Sequence, residues 1–169
     1  MSISVLISAY INCTKDNIEK ALNSVFHEQA LKPDQIVLVL DGPVGDNLYE
    51  FVLLFQKSVE CEMIIHPIQK SKGFGNALNE GLKLCTGEYI ARQDSDDESM
   101  VDRLQMQYDY LVKKKLDACA TRSISMQSNR IIPGLSFYIS PRILVNFKNP
   151  MVHGTLLISR NRGNHGIRI

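Results

Sequence analysis

Short apolar, β-branched runs alternate with segments of helical period along the first two-thirds of this chain, and few folds accommodate that alternation. Residues 3–9 (ISVLISA) and 35–40 (QIVLVL) read as strands buried on both faces. Residues 62–66 predict a third strand, closed by Pro67. Residues 89–91 begin a fourth that runs straight into Asp94-Ser95-Asp96-Asp97. Between and after these strands, helices are predicted over residues 16–30, 47–58, 73–85 and 99–115. The last of them carries Leu104, Tyr108, Leu111 and Val112 on its buried stripe. Strands separated by helices at this spacing make βαβ units and a largely parallel sheet, an α/β fold.

Beyond Asp117 the pattern changes to short strands over residues 118–121 and a hairpin around Ser128-Asn129. A helix start follows at Ser140-Pro141, then a last strand over 152–159 and a tail, RNRGNHGIRI, without apolar periodicity. The 169 residues show no repeat and no linker-like stretch, so they are read as a single domain, 1–169.

Charge and cysteine usage narrow the function. Nineteen basic against eighteen acidic residues leave a net charge of +1, which gives no reason to expect nucleic acid as a partner. The charge is nevertheless segregated: all eighteen acids lie at or before Asp117, and seven basic residues and no acid follow it. Either the two parts neutralise each other within one fold, or the basic end faces something anionic, such as a membrane surface touched peripherally. The four cysteines are widely spaced with no CxxC pair, as expected of reduced core thiols. The opening MSISVLISAY lacks a basic n-region, and no apolar run approaches the roughly 20 residues that span a bilayer. A cytoplasmic location, extending to the inner face of the membrane, is the expectation.

Ligands of open parallel sheets bind beyond the carboxyl ends of the strands. Three polar groups fall there: Ala9-Tyr10, Asp41-Gly42 and Asp94-Ser95-Asp96-Asp97. Asp41-Gly42 also suits an ordinary turn. Three carboxylates in four positions repel one another unless a cation or a helix N-terminus compensates, so the cluster reads either as a helix cap or as a site for Mg²⁺ or Mn²⁺. An EF-hand is excluded, because Ser99 and Gln105 stand at that loop's sixth and twelfth positions. Ser71-Lys72-Gly73-Phe74-Gly75-Asn76 opens a helix and is placed to approach phosphate, yet it is neither a P-loop nor a dinucleotide fingerprint.

In order and spacing, ISVLISAY, VLVLDG and KGFGNALNEGLKLCTGEYIARQDSDD, followed by Asp102-Arg103-Leu104, resemble the family 2 glycosyltransferases of the GT-A fold, especially bacterial enzymes of surface-polysaccharide and lipopolysaccharide synthesis. The likeness covers roughly residues 2–120, with a weaker echo in NPMVHGTLLISR. It implies a nucleotide-sugar donor, a UDP-sugar by preference, a saccharide or lipid-linked acceptor, and metal-dependent transfer with inversion. By the same resemblance, Ala9 and Tyr10 flank the nucleotide base and Asp41 hydrogen-bonds it. Lys72 and Asn76 lie in the loop that approaches the nucleotide. Asp94, Ser95 and Asp96 form the DxD element, with Asp94, Asp96 and the adjoining Asp97 as metal ligands. Leu40 and Pro43 depart from the family's DDGS turn.

The family's acceptor base is a carboxylate well downstream of the DxD pair, and this sequence has no carboxylate after Asp117. The chain is therefore expected to lack the acceptor and base part, with His153 as the candidate proton acceptor. Two further readings stay open: an inert nucleotide-sugar-binding remnant, and a nucleotidyl- or phosphoryl-transfer enzyme using the same acids.

Overall fold

The computed structural model describes residues 1–132 and 152–160. In chain order its elements are β1 (Ile3–Tyr10), α1 (Lys15–Val25), β2 (Gln35–Asp41), α2 (Asp46–Ser58), β3 (Glu62–Ile68), α3 (Phe74–Leu84), β4 (Tyr89–Asp94), α4 (Arg103–Lys114), β5 (Ala118–Ala120), β6 (Ser123–Ser125), β7 (Arg130–Ile132) and β8 (Leu156–Ser159). Six strands form one sheet in the order β3-β2-β1-β4-β8-β5, and β6 and β7 form a separate hairpin. β1 to β4 are mutually parallel, while β8 runs antiparallel between β4 and β5.

The period of two along a strand divides the core between the two faces of the sheet. Ile3, Val5, Ile7 and Ala9 of β1 pack with Ile18, Leu22, Leu48, Val52 and Leu104, so α1, α2 and α4 cover one face. Leu6 packs with Val39, Ala77 and Leu78, which puts α3 on the other. The alternation has a functional consequence on β4. Ala91 belongs to the α1/α2/α4 side and Ile90 to the α3 side, so Arg92 and Asp94 share the α3 face with Ile90.

Several predicted boundaries move, each for a tertiary reason. α1 ends at Val25, not at residue 30, because Glu28 N–H turns back to Asn23 O and Gln29, almost fully buried, donates to the carbonyls of Ser24 and Met100. α4 starts at Arg103, not Ser99: the Ser99 amide donates to Ser24 Oγ and its hydroxyl to Gln93 Oε1, which holds that stretch outside the helix. Val112 is exposed, and Arg103 and Gln107 take the remaining places on the buried stripe with Leu104 and Leu111. Pro67 lies inside β3 rather than ending it, tolerated because β3 is an edge strand. The last strand is confined to Leu156–Ser159, preceded by a one-turn 3-10 helix over His153–Thr155. The predicted helix start at Ser140-Pro141 and the tail after Arg160 lie outside the described residues.

All four cysteines are free, and burial pushes the Cys85 thiol up to about 12 and that of Cys61 to about 11, so these two are neutral thiols at physiological pH. Among the described residues, no helix is long and apolar enough to cross a membrane.

Candidate functional site

Strand register brings the predicted residues to one end of the sheet. Tyr10 pairs with Asp41 across β1 and β2, and Ser8 pairs with Asp94 across β1 and β4. Beside them opens a cleft of about 380 Å³ lined by Ser8, Tyr10, Asp41, Ser71, Gly73 and Phe74. Tyr10 and Phe74 each expose half of their surface, so two aromatic rings stand at its edge. Ala9 is fully buried in the opposite core and offers a ligand only its backbone.

Asp41 is almost wholly buried and accepts from Ser71 Oγ (2.9 Å) and from the Lys72 backbone N–H (2.8 Å). Asn76 Nδ2 in turn donates to Lys72 O (2.7 Å). Asp41, Lys72 and Asn76 are thus one hydrogen-bonded unit that fixes the loop leading into α3. Gly73 is the N-cap of that helix at φ +85°, a conformation that favours glycine, and no side chain caps the first turn.

The acidic cluster forms a tight turn after β4. Gln93 Nε2 donates to the carbonyls of Asp94 (3.2 Å) and Asp97 (2.7 Å), and Asp94 is ion-paired to Arg92 Nη2. α4 begins six residues after Asp97, and its N-cap Asp102 makes no side-chain cap bond, so the cluster does not cap that helix. Ser95 is buried against the turn after β1, where burial raises the Cys13 thiol, Ser95 hydrogen-bonds it and Asp96 adds its negative charge. Asp96 itself is exposed. Desolvation, followed by the charges of Asp94 and Asp96, raises the Asp97 carboxyl above the usual range, against the pull of Arg103 and Arg92.

The short turn before β8 completes the site. Gly154 is buried there, and a Cβ on it would land on the Asp94 carboxylate and 3.3 Å from Asp97 Oδ2. Asp94 and Asp97 therefore both lie against Gly154, where any side chain would displace the Asp94 carboxylate. Two carboxylates brought to one glycine fit a hard divalent cation that takes its other ligands from phosphate and water. Among the described residues no three acidic, imidazole or thiol groups converge, and Asp94 and Asp97 are the two carboxylates that meet at Gly154. His153, next to Gly154, is exposed.

Two residues of α4 hold these groups in place. Arg103 Nη2 donates to Arg92 O (2.6 Å), Nη1 to Gln93 Oε1 (2.6 Å) and Ser99 Oγ (2.8 Å), and Nε to Gln107 Oε1 (3.1 Å). Burial lowers its pKa to about 10, which leaves it charged at neutral pH. Gln107 Nε2 reaches Thr155 O (2.8 Å), so one side of α4 ties the acidic turn to the turn carrying Gly154. Arg103 falls within the Asp102-Arg103-Leu104 run noted in the sequence, and helical spacing adds Gln107: both fall in line with Leu111, polar residues on an otherwise apolar stripe.

Comparison with known proteins places the fold in a family. Glycosyl transferase family 2 matches residues 4–165. The amylovoran biosynthesis glycosyltransferase AmsE of Erwinia amylovora is 40% identical over 108 residues, covering 64% of this chain and 40% of that protein. The Escherichia coli UDP-Gal:alpha-D-GlcNAc-diphosphoundecaprenol beta-1,3-galactosyltransferase is 28% identical over 110 residues, covering 65% of this chain and 39% of its own length. The chain thus spans about two-fifths of these curated relatives. Among solved structures, S. aureus TarS 1-349 in complex with UDP superposes with a TM-score of 0.74 at 20% identity, over 94% of this chain and 47% of that one. The mannosyltransferase PcManGT of Pyrobaculum calidifontis, in complex with GDP-Man and Mn2+, gives 0.69 at 18% identity, over 94% and 44%. The sheet and its flanking helices are the GT-A fold expected from the sequence, and the chain belongs to glycosyl transferase family 2.

Proposed function

We propose that this chain supplies the donor half of a metal-dependent, inverting glycosyltransferase, moving a sugar from a nucleoside diphosphate to a saccharide or lipid-linked acceptor. One observation carries the reading: Tyr10, Asp41 and Asp94 end neighbouring strands at one end of the sheet, where Tyr10, Asp41 and Ser8, the strand partner of Asp94, line a cleft and Asp94 and Asp97 lie against Gly154. Tyr10 offers a ring for a nucleobase to stack on, and Asp41 both accepts a base N–H and holds the Ser71-Lys72 loop. Asp94 and Asp97, joined by Asp96 from the same turn, would hold Mg²⁺ or Mn²⁺. A bound divalent cation supplies neutralisation of the charge that grows on the departing diphosphate. Fixing base and diphosphate together orients the sugar carbon toward the acceptor. The UDP and GDP-Man complexes of the similar structures support a nucleotide donor. The diphosphoundecaprenol named for the E. coli relative supports a lipid-linked acceptor, and with it action at the inner face of a membrane.

Thermal melting with UDP tests this reading. UDP with Mg²⁺ or Mn²⁺, at about 100 times its Kd, should stabilise the fold by about 2.7 kcal/mol, a rise of roughly 5–10 °C in Tm. EDTA or Asp94→Asn should remove the metal-dependent part, and Glu98→Gln should leave it. No shift with any nucleoside diphosphate in the presence of metal would refute the proposal. A second reading, binding without transfer, is favoured by the lack of any Asp or Glu after Asp117 to act as base. Hydrolysis of a sugar nucleotide by this chain would eliminate it, and His153→Ala would then show whether His153 serves as the proton acceptor.

A further inference from the structure

Arg92 occupies the middle of a central strand, with only 2% of its surface exposed. Its Nη2 is paired with Asp94, but Nε and Nη1 are sealed from water and have no hydrogen-bond partner among the described residues. A guanidinium buried in this fold need not be left so. Arg103, nearly as buried, places all three of its nitrogens on acceptors. The Phe74 ring lies over the Arg92 guanidinium at 4.6 Å, but a ring stacked on the face leaves the in-plane N–H groups unsatisfied.

The missing acceptor has an obvious direction of entry. Arg92 pairs with Leu6 and Asp94 with Ser8, all on the α3 face of the sheet, and Ser8 and Phe74 both line the cleft. Phe74 is half exposed and follows Gly73, whose absent side chain would meet nothing within 4 Å. The ring is therefore a cover with open space beside it. The uncapped first turn of α3 starts at the same residue and adds its own N–H groups and dipole. A fork of cationic in-plane donors beside a helix N-terminus selects an oxyanion over a neutral nucleobase.

We infer that Arg92 is a donor-binding residue covered by Phe74, and that its Nε and Nη1 N–H groups, on different edges of the guanidinium, donate to oxygens of the donor's diphosphate when the ring moves aside. This rests on the nucleotide-sugar reading above and adds to it a protein group that grips the diphosphate independently of the cation. It also makes Phe74 a reporter of that event.

The chain has no tryptophan, so Phe74→Trp installs a single indole over the guanidinium. Emission of that variant should change on titration with UDP and Mg²⁺, and stay constant with uridine. Calorimetry on the parent and on Arg92→Gln, each with UDP and with uridine, supplies the second measurement. Arg92→Gln should weaken UDP by about tenfold or more and leave uridine unchanged. If Arg92→Gln does not fold, judged by circular dichroism, Arg92→Lys replaces it; it keeps the charge, loses the fork, and should still weaken UDP several-fold. Undiminished UDP affinity in the variant, with a parent that binds UDP, overturns the inference and leaves the nucleotide-sugar reading standing. Equal weakening of UDP and uridine overturns the diphosphate assignment. A parent that binds no nucleoside diphosphate overturns the reading and the inference together.

Discussion

At position 154 a missing methyl group decides whether the Asp94 carboxylate can keep its place beside Asp97. Alanine there would push the Asp94 carboxylate off its place while the exposed surface stays the same. Gly154→Ala is therefore expected to lower the affinity for UDP with Mg²⁺ by about 10- to 100-fold, the range typical of residues that orient ligands. Affinity in EDTA should be unaltered, and calorimetry with and without Mg²⁺ reads the difference. A variant with the parent's Mg²⁺ dependence would show that Asp94, in its place against Gly154, holds no cation. The sequence displayed Tyr10, Asp41 and the acidic turn because each is polar at the end of an apolar run, a signal local to a few residues. Gly154 gave no such signal: its requirement comes from a contact with Asp94, sixty positions earlier. Arg92 stood in plain view as a charge within YIARQD, but nothing local says that two of its nitrogens lack partners among the described residues.

Elements were legible to the extent that their own periodicity set them. The four parallel strands and two of the helices, α2 and α3, follow from apolar spacing, whereas the ends of α1 and α4 moved because Gln29, Ser99 and Ser24 bond across the chain. α4 shows the cost of treating a stripe as apolar by default, since Arg103 and Gln107 occupy it and link the acidic turn to the Gly154 turn. Arg103→Leu would leave Arg92 O and Gln107 Oε1 without these donors. At roughly 1–3 kcal/mol for each buried group left unsatisfied, the loss of stability should be about 2–5 kcal/mol. Urea denaturation measures it, and a change below about 0.5 kcal/mol would mean that the network contributes nothing net.

On the scale of the whole molecule, the question is what the segregated charge does. Twelve basic and eighteen acidic residues precede position 118, and seven basic residues and no acid follow. The basic part does not stand apart from the acidic one. β8 is inserted between β4 and β5, Arg160 Nη1 donates to Cys85 O (2.9 Å), and the Arg160 amide donates to Glu88 O (2.7 Å). Coulombic attraction between exposed charges of the two parts is screened by salt. The Debye length falls from about 20 Å at roughly 20 mM salt to about 4 Å at roughly 500 mM, short of the span of the domain. Mutual neutralisation therefore predicts a Tm that declines by a few degrees over that range of NaCl. A Tm that rises with salt would mean that repulsion within the acidic part dominates, leaving the basic part to find its counter-charge on a partner.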